Sequence, residues 1–260
     1  MRVVLHAGFH KTGTTSLQQT MRQNRRVLSK YWRLFTRAGT EPLCEAARAF
    51  SIRREPLEEA LLTHEWALFL ATLDPEDPRP VVLSSEDLSG HMPGRHGLTR
   101  YDAAAPIMRS LAHALPDHVT LEICFSHRAP DGWIASCWAQ NIRASALVQD
   151  LAAYRATMAP FTNLPNDIAA VRAAVAGRAI VHDWAIETTK DAPLGPITPL
   201  LDLTTFPAKP RARLIPVMAA NPRLSYATLA ELLRLNRSGL PKAALKAAKS
   251  AVIDAEKGNK

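Results

Sequence analysis

The sequence predicts a three-layer α/β fold in which a mainly parallel sheet is flanked by helices. Three observations carry that prediction. Four short segments read as strands: the apolar run Val3–Ala7, the buried run Val81–Leu83, the alternating stretch Val119–Phe125 and the short Ala179–Val181. Segments of helical composition or spacing lie between them, and such alternation builds parallel strands joined by right-handed crossovers. The chain has 260 residues, 47% of them hydrophobic, which is enough for one large core and a common length for a single α/β domain. The expected organisation is one domain over 1–239 followed by a basic helical tail over 240–260.

The elements follow in order. Val3–Ala7 stops at Gly8, and Thr14–Asn24 has helix-compatible composition, so the chain opens as strand, glycine-containing loop and helix. Glu55–Leu73 carries Leu57, Leu61, Leu62, Trp66, Leu68, Phe69 and Leu70 behind an acidic first turn and reads as a helix. Asp74–Pro80 is a proline-rich break before the strand at Val81–Leu83. Tyr101–Leu115 is a helix, Val119–Phe125 a strand, and Asp131–Leu147 a helix whose first turn suits the fixed φ of Pro130. Ile168–Val175 reads as a helix before the strand Ala179–Val181. Pro193–Pro216 holds six of the nineteen prolines and reads as an extended surface segment. Ser225–Leu235 and Pro241–Asp254 are the final helices, the last with Lys242, Lys246 and Lys249 opposite Leu245, Ala248 and Val252. The stretch Tyr31–Arg37 is left without an assigned strand.

Composition narrows the function classes. Thirty-two Lys and Arg against 24 Asp and Glu give a formal charge of +8, which suits an anionic ligand, an acidic glycan, nucleic acid or a membrane surface. Cys44, Cys124 and Cys137 are odd in number and lack C-x-x-C spacing, so neither a disulfide framework nor a zinc site is expected. The first apolar run is too short for a signal peptide, and no stretch reaches the eighteen or so apolar residues of a membrane span. A cytoplasmic protein is expected, with peripheral membrane contact by the basic tail left open.

The string Gly8-Phe9-His10-Lys11-Thr12-Gly13-Thr14-Thr15-Ser16 places glycines, hydroxyls and a lysine between a strand and a helix. Backbone N–H groups at a helix N-terminus lack intrahelical partners and sit at the positive end of the helix dipole, so they suit a phosphate. Gly8 and Gly13 have the glycine spacing of the nucleotide-hydrolysing motif G-x-x-x-x-G-K-[ST], but Thr14 stands where that motif needs lysine. The whole string Gly8–Gln18 (GFHKTGTTSLQ) resembles the 5′-phosphosulfate-binding loop of the sulfotransferase family in its bacterial branch. A second element, Phe125–Ser136, follows a strand and opens a helix. It resembles the same family's 3′-phosphate element, with Arg128 at the strand end and Ser136 eight residues later. Further similarity lies in Trp138-Ala139-Gln140 and in Asn221–Asn236.

The resemblance implies a P-loop-like sulfotransferase fold and the co-substrate 3′-phosphoadenosine-5′-phosphosulfate, with adenosine-3′,5′-bisphosphate as product and no metal. It implies that Thr12, Gly13, Thr14, Thr15 and Ser16 hold the 5′-phosphate and that Arg128 and Ser136 clamp the 3′-phosphate. Lys11 meets the bridging oxygen that becomes negative as the sulfuryl group leaves, and His10 assists or packs. The acceptor is a carbohydrate, a lipid or a small molecule with a hydroxyl or amine.

Attack by a neutral hydroxyl is helped by a base. Glu86, just beyond the strand Val81–Leu83, is the first candidate, since it should share a sheet edge with the loop at Gly8. His91 is the alternative. Asp87 reads as a helix or turn cap, His6 as a packed histidine, and Trp32, Trp133 and Trp138 as core residues or adenine-stacking rings. Two other classes stay open. A nucleotide or small-molecule kinase would share the opening but should carry a lysine after Gly13 and a metal-binding acid. A basic nucleic-acid binder would explain the charge but should show a stripe of basic and aromatic residues.

Overall fold

A computed structural model of the chain describes residues 1–189, 191–217 and 224–258. The start of the Asn221–Asn236 segment and the last two residues of the basic tail lie outside the described residues. The chain groups into two compact units, Met1–Ala129 with Asn163–Ala220, and Pro130–Thr162 with Asn221–Lys260.

The first unit is built on five parallel strands, β1 (Arg2–His6), β2 (Arg33–Thr36), β3 (Val81–Ser84), β4 (Thr120–His127) and β5 (Ala179–Ala185), in the order β2-β3-β1-β4-β5. The mainly parallel sheet foreseen from the strand–helix alternation is wholly parallel. Val3, Val4 and Leu5 of β1 are fully buried, as are Val81, Val82 and Leu83 of β3, which explains why these strands read as continuous apolar runs. Val4 and Val82 are register partners, and with Cys124 they join a core with Leu17 and Met21 of α1 (Thr14–Gln23) and with Ile197, Leu200 and Leu201. The helices Glu41–Arg53, Pro56–Ala71, Ala104–His113 and Leu164–Ala174 pack on one another in succession, and the last also lies on β4 and β5.

The elements of this unit not foreseen include β2, the helix Glu41–Arg53 and the one-turn helices Arg25–Leu28 and Ile186–Thr189. Another region requires correction. Pro193–Pro216 is not an extended surface segment: it contains the 3-10 turn Gly195–Ile197 and the helices Thr198–Leu203 and Ala208–Arg211. Pro196 and Pro199 stand in first turns, where a missing N–H removes no helical hydrogen bond, and Ile197, Leu200 and Leu201 are fully buried.

The second unit contains the helices Pro130–Ala144, Leu151–Met158, Tyr226–Asn236 and Lys242–Gly258. Asp150 caps the second of these by accepting from the Ala153 N–H, and Ser225 caps the third by accepting from Thr228. Lys249 corrects the expectation of a solvated basic face. Only 6% exposed, it donates from Nζ to Ser145 O (2.8 Å), to Asn236 Oδ1 (2.8 Å) and to Ile142 O. Lys249 follows Leu245 by four residues and precedes Val252 by three, so helical spacing places it on their packed face. No helix among the described residues is long and apolar enough to cross a membrane.

Candidate functional site

In an open parallel sheet, ligands bind beyond the carboxyl ends of the strands where the strand order reverses. Here that point is β1, from which the chain first runs outward to β2 and later crosses to β4. The loop after β1 is the glycine-containing string singled out in the sequence. Its backbone is tied down on both sides. Ala7 N–H donates to Cys124 O (3.1 Å), Ser89 Oγ donates to Ala7 O (2.7 Å), and Thr12 Oγ1 donates to Phe9 O (2.6 Å) while lying 2.8 Å from Ser126 Oγ. The Phe9 ring fills the space beneath, with centroids 4.3 Å from Tyr101 and 5.0 Å from Phe125.

Both glycines are required by geometry. A Cβ on Gly8 would stand 2.9 Å from the His6 ring and 3.1 Å from Thr14 Oγ1, too close for ordinary packing. Gly13, the residue before α1, has φ of +93°, a conformation that L side chains rarely adopt. Lys11 also sits in the left-handed region, at φ of +67°. A lysine held there by a loop anchored on both sides is a strained position of the kind that marks functional loops.

Polar groups at this edge are left unsatisfied. Thr14 Oγ1 and His6 Nε2 are buried and have no hydrogen-bond partner. No side chain caps the start of α1, and no acidic residue lies in its first turn. The N–H groups of Thr14, Thr15 and Ser16 therefore form a helix end without intrahelical acceptors, which suits an anion. Burial pushes the His6 imidazole down to about 4, so it is neutral at pH 7, with Nδ1 2.9 Å from Ser84 Oγ.

Glu86 opens the 3-10 turn Glu86–Ser89 directly after β3. Gln18 of α1 holds it there, since the Gln18 amide donates to Glu86 Oε2 (3.2 Å) and to Ser84 O (3.1 Å). The loop and the candidate base are thus joined through α1. His10 has a defined place. Its backbone N–H donates to Tyr101 Oη (2.9 Å), its Nδ1 lies 3.0 Å from the same oxygen, and its Nε2 lies 3.6 Å from Asp87 Oδ1. When the imidazole is neutral, the Tyr101 hydroxyl donates to Nδ1 and the proton on Nε2 faces Asp87.

Asp87 is therefore an ion-pair centre rather than a cap. Arg37 Nε lies 3.0 Å from it and Arg48 Nε 3.9 Å away. Burial alone would raise the Asp87 carboxyl, but the His10 hydrogen bond and the charges of His10, Arg48 and Arg37 outweigh it and hold the group below its usual range. His91 lies beside this network. Burial, followed by the charges of Arg48 and His96, pushes its imidazole down to about 4, and its backbone N–H donates to Ser51 Oγ (3.0 Å).

The structure brings together Lys11, the Thr12–Ser16 segment, His10 and Glu86 at one edge of the first unit. Arg128 follows β4 in that unit, half-buried, and Ser136 lies on the helix Pro130–Ala144 of the second. Trp32, Trp133 and Trp138 are all buried, and Trp32 Nε1 donates to Thr204 Oγ1 (3.1 Å) while Trp138 Nε1 donates to Gln149 O (3.0 Å). These rings belong to the cores. The residues that the sequence did not single out are Ser89, Tyr101, Ser126 and Gln18, of which only Gln18 had a local signal, one turn after Thr14 on the same helix face.

No family model matches the chain, and a search of curated proteins finds no significant match.

Proposed function

We propose that this protein is a sulfotransferase of the P-loop-like fold, moving a sulfuryl group from 3′-phosphoadenosine-5′-phosphosulfate to an acceptor hydroxyl or amine. The observation that carries the reading is the loop Gly8–Ser16 at the central strand, anchored by its neighbours yet leaving the Thr14 hydroxyl and the start of α1 unsatisfied. That donor set fits a phosphate. In this reading the amides of Thr12–Ser16 and the hydroxyls of Thr14, Thr15 and Ser16 bind the 5′-phosphate, and Lys11 stabilises the bridging oxygen as it gains charge, which is electrostatic catalysis by preorganised donors. The resemblance assigns Arg128 and Ser136 to the 3′-phosphate. Glu86 takes the acceptor's proton, oriented by Gln18. His10, bound at both ring nitrogens' sides by Tyr101 and Asp87, holds the loop in shape.

Thr14 in place of the motif lysine favours this reading over a nucleotide kinase. Calorimetric titration with adenosine-3′,5′-bisphosphate, adenosine-5′-monophosphate and ATP with magnesium tests it. The bisphosphate should bind roughly tenfold or more tighter than the monophosphate, the size expected from charge-assisted contacts to one added phosphate. Tighter binding of ATP would support a kinase, and binding of none of the three would overturn the assignment of the loop to a nucleotide.

A further inference from the structure

A cleft of about 270 Å³ begins at Gln18 and runs along α1 toward Arg22 and Arg25, with Leu34 and Phe35 of β2 among its apolar lining. Gln18 is the residue whose amide binds the Glu86 carboxylate, so the cleft lining touches the residue that holds the proposed base. The lining is also cationic. Arg22 stands one helical turn from Gln18, about 6 Å along the axis, and Arg25 begins the next short helix, Arg25–Leu28. Both arginines are exposed.

Several arginines elsewhere in this unit have acidic partners: Arg37 and Arg48 share Glu45 and Asp87, Arg53 meets Glu58, and Arg79 meets Asp77. Neither Arg22 nor Arg25 has an ion-pair partner among the described residues. Two uncompensated guanidinium groups in the lining of a partly apolar cleft, with the amide that holds the Glu86 carboxylate also in that lining, are complementary to an anionic ligand with an apolar body.

We propose that this cleft receives the acceptor and that the acceptor is a hydroxyl compound bearing a carboxylate, phosphate or sulfate about 6 Å or more from the reacting oxygen, the rise between Gln18 and Arg22. The inference rests on the sulfotransferase reading. The acceptor oxygen forms a bond to sulfur, and the bond from sulfur to the bridging oxygen breaks. The hydroxyl proton passes to Glu86, and adenosine-3′,5′-bisphosphate leaves with the bond's electron pair. The anionic group of the acceptor takes no part in the chemistry. It fixes the distance between hydroxyl and base.

The test uses the full chain, labelled 3′-phosphoadenosine-5′-phosphosulfate and matched acceptors that differ in one charge: benzyl alcohol against 4-(hydroxymethyl)benzoate, glucose against glucuronate, and glycerol against glycerol-3-phosphate. The anionic member should show kcat/KM roughly tenfold or more above its neutral partner in the pairs that react. Arg22→Glu with Arg25→Glu should abolish or reverse that preference while leaving adenosine-3′,5′-bisphosphate affinity unchanged. Equal or better use of the neutral members overturns the acceptor class, as does a preference that survives the double substitution. Transfer to none of the six by a protein that binds the bisphosphate selectively also overturns it. Failure to bind the bisphosphate counts instead against the reading beneath it.

Discussion

The loop edge of the first unit and the helical second unit treat buried polar groups in opposite ways. In the second unit Lys249 is saturated by two backbone carbonyls and an amide oxygen, Asn236 donates to Ile142 O and Leu147 O, and Asn141 donates to Tyr154 Oη. At the loop edge, Thr14 Oγ1 and His6 Nε2 have no partner, and Trp184, whose ring stacks on His6, leaves its Nε1 unpaired as well. A buried polar atom without a partner costs free energy, so a cluster of them is retained where something else completes it. The difference teaches that two lysines in one basic chain have unrelated meanings. Lys11 sits in a strained loop among open donors, whereas Lys249 is a structural cap on carbonyls at the end of the helix Pro130–Ala144.

If the comparison holds, substitutions at the loop edge should cost function and those in the second unit should cost stability. The largest effect is expected at Glu86. Glu86→Gln keeps the shape and the contact with Gln18 while removing basicity, so turnover should fall by about 10²–10⁴-fold with little change in nucleotide affinity or melting temperature. A large loss of stability would mark Glu86 as structural. Unchanged turnover would move the role to His91.

Lys249→Met makes the reverse test, since it keeps the volume and strips donors from three buried acceptors. Leaving such groups unpaired should lower stability by about 3 kcal/mol, or roughly 6–12 °C in a melting experiment. A shift under about 2 °C would show that the buried lysine contributes little and that the second unit is no tighter than the first.

These two sites also differ in how far the sequence could reveal them. The loop was legible because strand, glycines and helix are consecutive, β1 and β3 because they are buried along almost their whole length, and β4 because its first half alternates. Strand β2 was not, since all four of its residues are only partly buried at the sheet's edge and show neither an apolar run nor a clean alternation. The helix Glu41–Arg53 buries Cys44, Ala46, Ala47 and Ser51 beside Leu43 and Phe50, small residues that carry a weak periodic signal. The Asp87 network could not be read locally, because its partners come from residues 10, 37 and 48. Lys249 was misread through residue type, although its spacing from Leu245 and Val252 already placed it on the packed face.

The pH dependence of stability sharpens the contrast further. His6 is neutral when folded, with its pKa near 4, and near 6.5 when unfolded. Between those values the unfolded chain binds a proton that the folded chain does not, so stability rises with pH across the window and is lost as pH falls from 6.5 toward 4. The full loss is of the order of 3 kcal/mol at the low end and near 1 kcal/mol at pH 5.5. His91 titrates in the same direction and is present in both proteins, so a comparison of wild type with His6→Asn isolates His6. Denaturant midpoints measured from pH 7 to pH 4.5 should show a shallower slope for the variant. Parallel slopes would mean that the folded protein binds a proton at His6 as readily as the unfolded chain does.

The smallest effect is the most discriminating, because it asks whether the unsatisfied hydroxyl at the loop is there for a ligand. Thr14→Val is nearly isosteric and removes only the Oγ1 hydroxyl, which is buried without a partner beside Gly8. Replacing an unpaired buried hydroxyl by a methyl relieves a desolvation penalty, so the folded protein should be unchanged or more stable by up to about 1 kcal/mol. The same hydroxyl is a phosphate donor in the proposed site, and losing one hydrogen bond to a charged group should weaken adenosine-3′,5′-bisphosphate binding by roughly tenfold. Stability and affinity would then move in opposite directions on one substitution, which a packing role does not produce. Equal losses in both would place Thr14 in the core. A gain in stability with no change in affinity would leave the hydroxyl unsatisfied even in the nucleotide complex, and the phosphate would have to be held by the loop amides, Thr15 and Ser16 alone.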